Sequence, residues 1–367
     1  MDGAISMAQT ALPLLALRLM ADSWFLGMLS WVAQAVRLPF CLFTGRISER
    51  TGRMPVIASA LLLFVASALV MSFAGSLKAL LASQILMLIS VGAFYPSLQA
   101  LIADRSPKGQ LTGNIGAFNL GWCLGSALCS LAAGYLLQVY ARLPFWAAAA
   151  MGVCILLVLL SWQSSHSAAR EAAKSEETFA PADPNLLLVA RMGHFLAMFG
   201  LTTCRTLFPQ LARQYCSEGV VGVLIAILVS GQTVSMVLAG AGPWWRGRFW
   251  PILASQGLIC LGAIGVLMGQ GAPAFAISLF AVGSGLGISY TGSLYYGLQA
   301  RSRSGHNAGI HESLVAAAGI SAGLIGGATA QWIGIRAPYV TMSILAAVMM
   351  LSSVLIGAFR PIKVNPR

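Results

Sequence analysis

Twelve apolar runs, each long enough to cross a lipid bilayer, follow one another along this chain with little sequence between them. They cover roughly residues 4–20, 24–44, 55–74, 77–103, 113–137, 144–162, 187–211, 219–242, 250–269, 273–299, 307–334 and 337–359. A helix needs about twenty mainly apolar residues to cross the hydrocarbon core, so the pattern predicts an all-α membrane protein with twelve transmembrane helices. Barrel strands are excluded, because the runs are too long and do not alternate with period two. Charged residues make up only 9% of the chain, against about a quarter in soluble domains. So few charges cannot cover the surface of a soluble fold, which argues against a soluble enzyme or a disordered chain.

The net charge of +12 comes from basic residues set singly or in twos and threes between the apolar runs. No basic stretch is interleaved with aromatics, so the charge reads as membrane orientation, and no nucleic-acid partner is expected. Fourteen basic residues, from Arg46 to Arg367, fall in the loops after the even-numbered runs and in the C-terminal tail. Five (Arg18, Lys78, Arg142, Arg213 and Arg336) fall on the other side, and Arg37, Arg191 and Arg205 lie inside runs. This bias puts both termini and the long central loop in the cytoplasm. The seven cysteines form no CxxC pair and read as packing residues, with no metal or cofactor expected. Nor does the N-terminus have the basic region of a cleavable signal peptide.

The Ser-, Ala-, Glu- and Lys-rich stretch around Gln163–Pro184 divides the runs into two sets of six. The expected organisation is an N-terminal bundle (1–162), a cytoplasmic loop (163–186), a C-terminal bundle (187–359) and a tail (360–367). The two sets echo each other. Gly27 and Gly222 open the second and eighth runs; eighteen residues on stand Gly45 and Gly240, and seven further come Gly52-Arg53 and Gly247-Arg248. Asn114-Ile115-Gly116 matches Asn307-Ala308-Gly309, and Pro13 with Arg18 matches Pro209 with Arg213. Parallel six-helix repeats around a midplane site are a transporter plan. Against its repeat partner the first helix looks shortened at its N-terminus, and a start upstream of Met1 is the favoured expectation.

At Gly45-Arg46-Ile47-Ser48-Glu49-Arg50-Thr51-Gly52-Arg53 the chain resembles the signature loop of the major facilitator superfamily, G-x-x-x-D-R-x-G-R, at the family position between spans two and three. The resemblance implies a cytoplasmic gate built from Gly45, Glu49, Arg50, Gly52 and Arg53. Glu49 would face the N-terminus of the eleventh helix, and the arginines an acid such as Asp104; the bland reading is orientation charge alone. Two departures weaken likeness to the family's proton antiporters. Gln84 stands where they often carry an arginine, and Ser126 follows Gly121-Trp122-Cys123-Leu124-Gly125 where they carry proline.

Ionisable side chains inside a membrane are costly and are functional candidates by default. Arg37 lies eight residues before Gly45, with Gln232 as its repeat partner; the two form a candidate substrate pair. Arg205, a turn before Pro209, matches Gln9. Tyr95 and Tyr290 match as G-x-x-Y, and Trp122, Asn119 and His194 complete the candidate substrate site. Each also has a packing reading. Glu312, the repeat partner of Asn119, is the candidate proton carrier; alternatively it pairs with Arg301 or Arg303, or stabilises its helix N-terminus. Arg37 and Arg205 against Glu312 tilt the substrate toward a small organic anion or polar neutral metabolite.

The expectation is a monomeric secondary transporter in a bacterial inner membrane, moving a small organic solute by alternating access. Proton-coupled efflux leads on family analogy; facilitated uniport and a non-transporting sensor on the same fold are the alternatives. An enzyme is not expected, since no HExxH or DxxxD cluster occurs.

Overall fold

A computed structural model describes residues 1–106, 111–165, 183–299 and 304–358. These residues are helical throughout, with short turns between and no strand among them. In order the helices are α1 (Asp2–Arg18), α2 (Ser23–Thr51), α3 (Arg53–Ser72), α4 (Leu77–Arg105), α5 (Leu111–Val139), α6 (Leu143–Ser165), α7 (Pro184–Thr206), α8 (Phe208–Ala212), α9 (Glu218–Gly240), α10 (Trp250–Met268), α11 (Ala272–Gln299), α12 (Ser304–Trp332) and α13 (Ala337–Ala358). Most of the central loop, Arg301, Arg303 and the tail 360–367 lie outside the described residues.

Ten of these helices are long and apolar enough to cross a membrane. In lipid every backbone polar group must find its partner within the chain, which leaves helices as the default for such runs. α1 and α2 fall outside the ten. α1 has 17 residues, about 26 Å at 1.5 Å per residue, and α2 interrupts its apolar run with Gln34 and Arg37. Polar caps fix several starts: Asp22 accepts from the Phe25 amide at 2.7 Å, and Ser76 from the Ala79 amide at 3.2 Å.

The seventh apolar run divides, α7 ending at Thr206 and the five-residue α8 beginning at Phe208. Proline supplies the reason. Pro209 has no N–H to return to the Arg205 carbonyl, so the ladder is interrupted beside that arginine. Gly52 and Gly247, matched in the sequence repeat, both have left-handed backbones, φ 94° and 70°. Each lets the chain turn sharply just before the next helix.

Helix packing is repeated too. α3 packs on α4 and α6 as α10 packs on α11 and α13, and α1 on α5 and α6 as α7 on α12 and α13. Two further seams, α2 with α12 and α5 with α9, join helices from opposite ends of the chain. Both depend on glycine. A methyl added at Gly27 would come within 2.3 Å of the Gly323 carbonyl oxygen, and one at Gly134 within 2.2 Å of that of Glu218. Missing side chains thus let the backbones touch. Farther along the second seam the Cys123 thiol meets the Met236 sulfur at 3.5 Å. Beyond that, a methyl at Gly116 or Gly240 would meet nothing within 4 Å among the described residues. The seam is shut at one face and splayed toward the face that carries Arg53 and Arg248.

The shut face is also stitched by polar groups. Arg18 at the end of α1 donates Nε to Glu218 Oε1 of α9 at 3.0 Å and Nη2 to the Leu137 carbonyl of α5 at 3.0 Å. Its second bond, from Nη2 to Glu218 Oε2, completes a bidentate pair. Arg213 approaches the same carboxylate at 4.0 Å, and Ser23 donates to Gln210 Oε1 at 2.8 Å.

Candidate functional site

Polar residues recur at helical spacing on several of these helices: Asp2, Ser6 and Gln9 on α1, Ser30, Gln34 and Arg37 on α2, Gln84, Tyr95 and Gln99 on α4. Steps of three, four or multiples of them place side chains on one face. These faces converge with Asn119 and Trp122 of α5, Arg205 of α7, Tyr290 of α11 and Glu312 of α12 around one cavity of about 200 Å³.

At the α2–α12 wall the buried Arg37 donates Nη2 to Glu312 Oε2 at 3.2 Å and Nη1 to Gln34 Oε1 at 3.3 Å. The side chains are 8% and 24% exposed. A charge this far from water is tolerated when it is paired and hydrogen-bonded. The pair also crosses a seam, so it ties α2 to α12. Of the partners left open for Glu312, the structure brings it Arg37; Arg301 and Arg303 are outside the described residues.

Arg205 differs. Its Nη1 donates to Gln9 Oε1 at 3.4 Å, so the two residues matched by the repeat meet across the cavity. Nε has no partner, and no carboxylate lies within 4 Å among the described residues. This guanidinium therefore faces the cavity without a carboxylate to neutralise it.

Aromatic groups form another part of the wall. Trp122 stacks on Tyr290, centroids 5.9 Å apart and planes at 27°. Tyr95 donates its hydroxyl to Asp2 Oδ1. Asp2 is a further lining acid that the apolar run at 4–20 leaves outside the span, whereas α1 begins with it. The helical spacing of Asp2, Ser6, Gln9 and Pro13 was the available signal.

Two expected members stand outside the lining. Gln232 is 1% exposed and is packed against α11, its backbone facing Gly283 and Gly287. Its side chain therefore does not join Arg37. His194 is fully buried behind Tyr290, with centroids 5.5 Å apart.

In the signature loop, Gly45 lies in α2 and Gly52 makes the left-handed turn. Arg53 donates Nε to Asp104 Oδ2 at 3.3 Å and Nη1 to Ser48 Oγ at 2.7 Å. Glu49 and Arg50 are exposed. The first side chains of α12, whose N-terminus is the expected partner of Glu49, lie outside the described residues, as do residues 300–303 before it.

The cavity thus offers one guanidinium paired with a carboxylate and one without, two carboxylates, several amides and an aromatic face. That is a surface for holding a small polar molecule.

The family model described as Major Facilitator Superfamily matches residues 1–300. Quinolone resistance protein NorA of Staphylococcus aureus is 26% identical over 201 residues, 52% of this chain and 50% of that protein. Inner membrane metabolite transport protein YgcS of Escherichia coli K12 is 28% identical over 127 residues, 34% of this chain and 28% of that one. The chain spans about half the length, or less, of these curated relatives. Among solved structures, a bacterial homolog of the human lysosomal transporter Spinster, inward-facing and occupied, superposes with TM-score 0.73 at 13% identity, covering 98% of this chain and 94% of that one. A mutant of the peptide transporter POT gives TM-score 0.76 at 14% identity, covering 97% and 92%. At such identities the structures speak for the fold alone. Together with the family match, they make this chain a member of the major facilitator superfamily of membrane transporters.

Proposed function

We propose that the chain is a secondary transporter that exports a small organic solute by alternating access, with protons as the coupling ion. In this reading twelve helices cross a bacterial plasma membrane as two six-helix bundles with both termini in the cytoplasm, and α8 is an appendage of α7. One observation carries it. A polar cavity takes its walls from α1, α2, α4 and α5 and from α7, α11 and α12, while the α5–α9 seam beside it is shut at one face and splayed at the other. Rocking the bundles about that seam would move the opening from one face to the other. The likeness to a quinolone resistance protein supports export, and that to a metabolite transport protein supports an organic solute.

Arg205 supplies the charge for an anionic or strongly polar group, helped by Gln9 and Asn119. Trp122, Tyr290 and Tyr95 supply the aromatic wall, and Arg37 is the second anchor once it is free of Glu312. Glu312 is the coupling group, because a proton on it or beside it loosens its hold on Arg37. Gly45, Glu49, Arg50, Gly52, Arg53 and Asp104 form the gate at the cytoplasmic face.

A thermal-shift screen of the purified protein against metabolites and drugs identifies the solute, and reconstituted vesicles then separate the readings. A transporter moves the label, an enzyme changes it and a sensor only binds it. Transport indifferent to both a pH gradient and Glu312→Gln would leave a uniporter.

A further inference from the structure

Behind Tyr290, away from the cavity, His194 of α7 and His311 of α12 lie face to face. Their ring centroids are 4.1 Å apart and their planes 9° from parallel. Tyr290 meets both edge-on, at 5.5 and 5.0 Å. The imidazoles are 0% and 6% exposed. Ser293 Oγ lies 3.2 Å from His311 Nδ1, but His311 Nε2 and both ring nitrogens of His194 have no hydrogen-bond partner among the described residues. Each stranded polar atom costs about 1–3 kcal/mol, and two phenylalanines would fill the same space without that cost. Packing alone therefore does not account for two histidines here.

We propose that the His194–His311 pair is a proton-binding site and that it, rather than Glu312 alone, holds the coupling proton. A proton from water, passed in when the wall at Tyr290 opens, adds to a free ring nitrogen and makes one imidazolium, while the facing ring stays neutral. A second proton is opposed by the first, so the pair takes one. The charged groups nearby favour a response at the cavity wall. Glu312 follows His311 on α12 and interacts with it electrostatically, as does Arg191 from α7. Tyr290 faces the pair from α11, and Gln256 of α10 with Ser353 of α13 supplies only a neutral hydrogen bond, at 3.0 Å. From α2, Arg37 acts through Glu312. Among the described residues Glu312 is thus the carboxylate that answers a new positive charge, and as it turns toward the imidazolium it gives up its hydrogen bond to Arg37. Loading the proton frees Arg37 donors for the solute.

The coupling role rests on the transporter reading, whereas proton binding does not, so the test uses no transported solute. The chain has four histidines, and His166 and His306 serve as internal references. Isotope-labelled histidine in the full chain in nanodiscs is followed by nitrogen NMR from about pH 4.5 to 8.5, where imidazoles titrate. His194→Phe and His311→Phe assign the signals. The expected result is a single shared protonation of the pair, weakened about tenfold or more in Glu312→Gln, with both references unmoved by that variant. The proposal fails if the pair stays neutral while the references titrate. It also fails if Glu312→Gln leaves its titration in place in protein that remains monodisperse. Should vesicles move no solute, the titration still stands or falls independently.

Discussion

On α5, Gly134 and Gly116 are eighteen residues apart, about five turns, and so lie on the same side of the helix. At Gly134 a methyl group would strike the Glu218 carbonyl oxygen at 2.2 Å; at Gly116 it would meet nothing within 4 Å. α9 repeats the contrast, with Gly222 against the Gly134 backbone at 2.9 Å and Gly240 open. Glycine therefore has two uses along one stripe. At the shut face it permits backbone contact, and toward the basic face it borders space. The difference between those ends, rather than either end alone, is what the proposed rocking motion would reverse.

The strongest perturbation lies on the other seam, between α2 and α12. Glu312→Ala strands the Arg37 guanidinium, and losing one partner of a buried pair costs about 3–5 kcal/mol. Unfolding of the detergent-solubilised protein should show that loss. A change near zero would mean that the pair does not hold the α2–α12 seam. Next comes Gly134→Ala, which forces α5 from α9 and should cost about 1–3 kcal/mol as an overpacked contact. Arg18→Ala removes a partly exposed ion pair at the shut face and should cost about 0.2–1 kcal/mol, with thiol labelling near Cys216 increasing as the stitching loosens. Smallest is Gly116→Ala, which fills space and improves helix propensity, so it should be neutral or stabilising by up to about 1 kcal/mol. Equal losses at Gly116 and Gly134 would erase the contrast between the ends.

Much of this was legible because lipid leaves a chain few options. Apolar runs become helices, and the repeat at Gly52 and Gly247 reappears as matched left-handed turns. Arg37, Arg205 and Glu312 stood out as charges inside runs, and all three line the cavity. Their partners were harder to read. Which way a helix turns its polar face depends on packing with its neighbours, and no local spacing specifies it. Gln232 matched Arg37 in the repeat yet packs on α11, because the close approach of Gly283 and Gly287 turns that face of α9 inward. His311 lies near the start of the run 307–334, where nothing in the local sequence marks its partner; only the folded chain lays it on His194. Likewise Arg37 and Glu312 are 275 residues apart, and only the α2–α12 seam joins them.

The sulfur contact between Cys123 and Met236 gives the proposed rocking motion a fulcrum. Gly134 lies eleven residues to one side of it and Gly116 seven to the other, lever arms of about 16 and 10 Å at 1.5 Å per residue. Swinging the long helices as rigid bars about that contact would part the long arm about 1.6 times as far as it closed the short one. A soft, polarisable thioether is well suited to such a bearing, since it keeps its grip while surfaces slide.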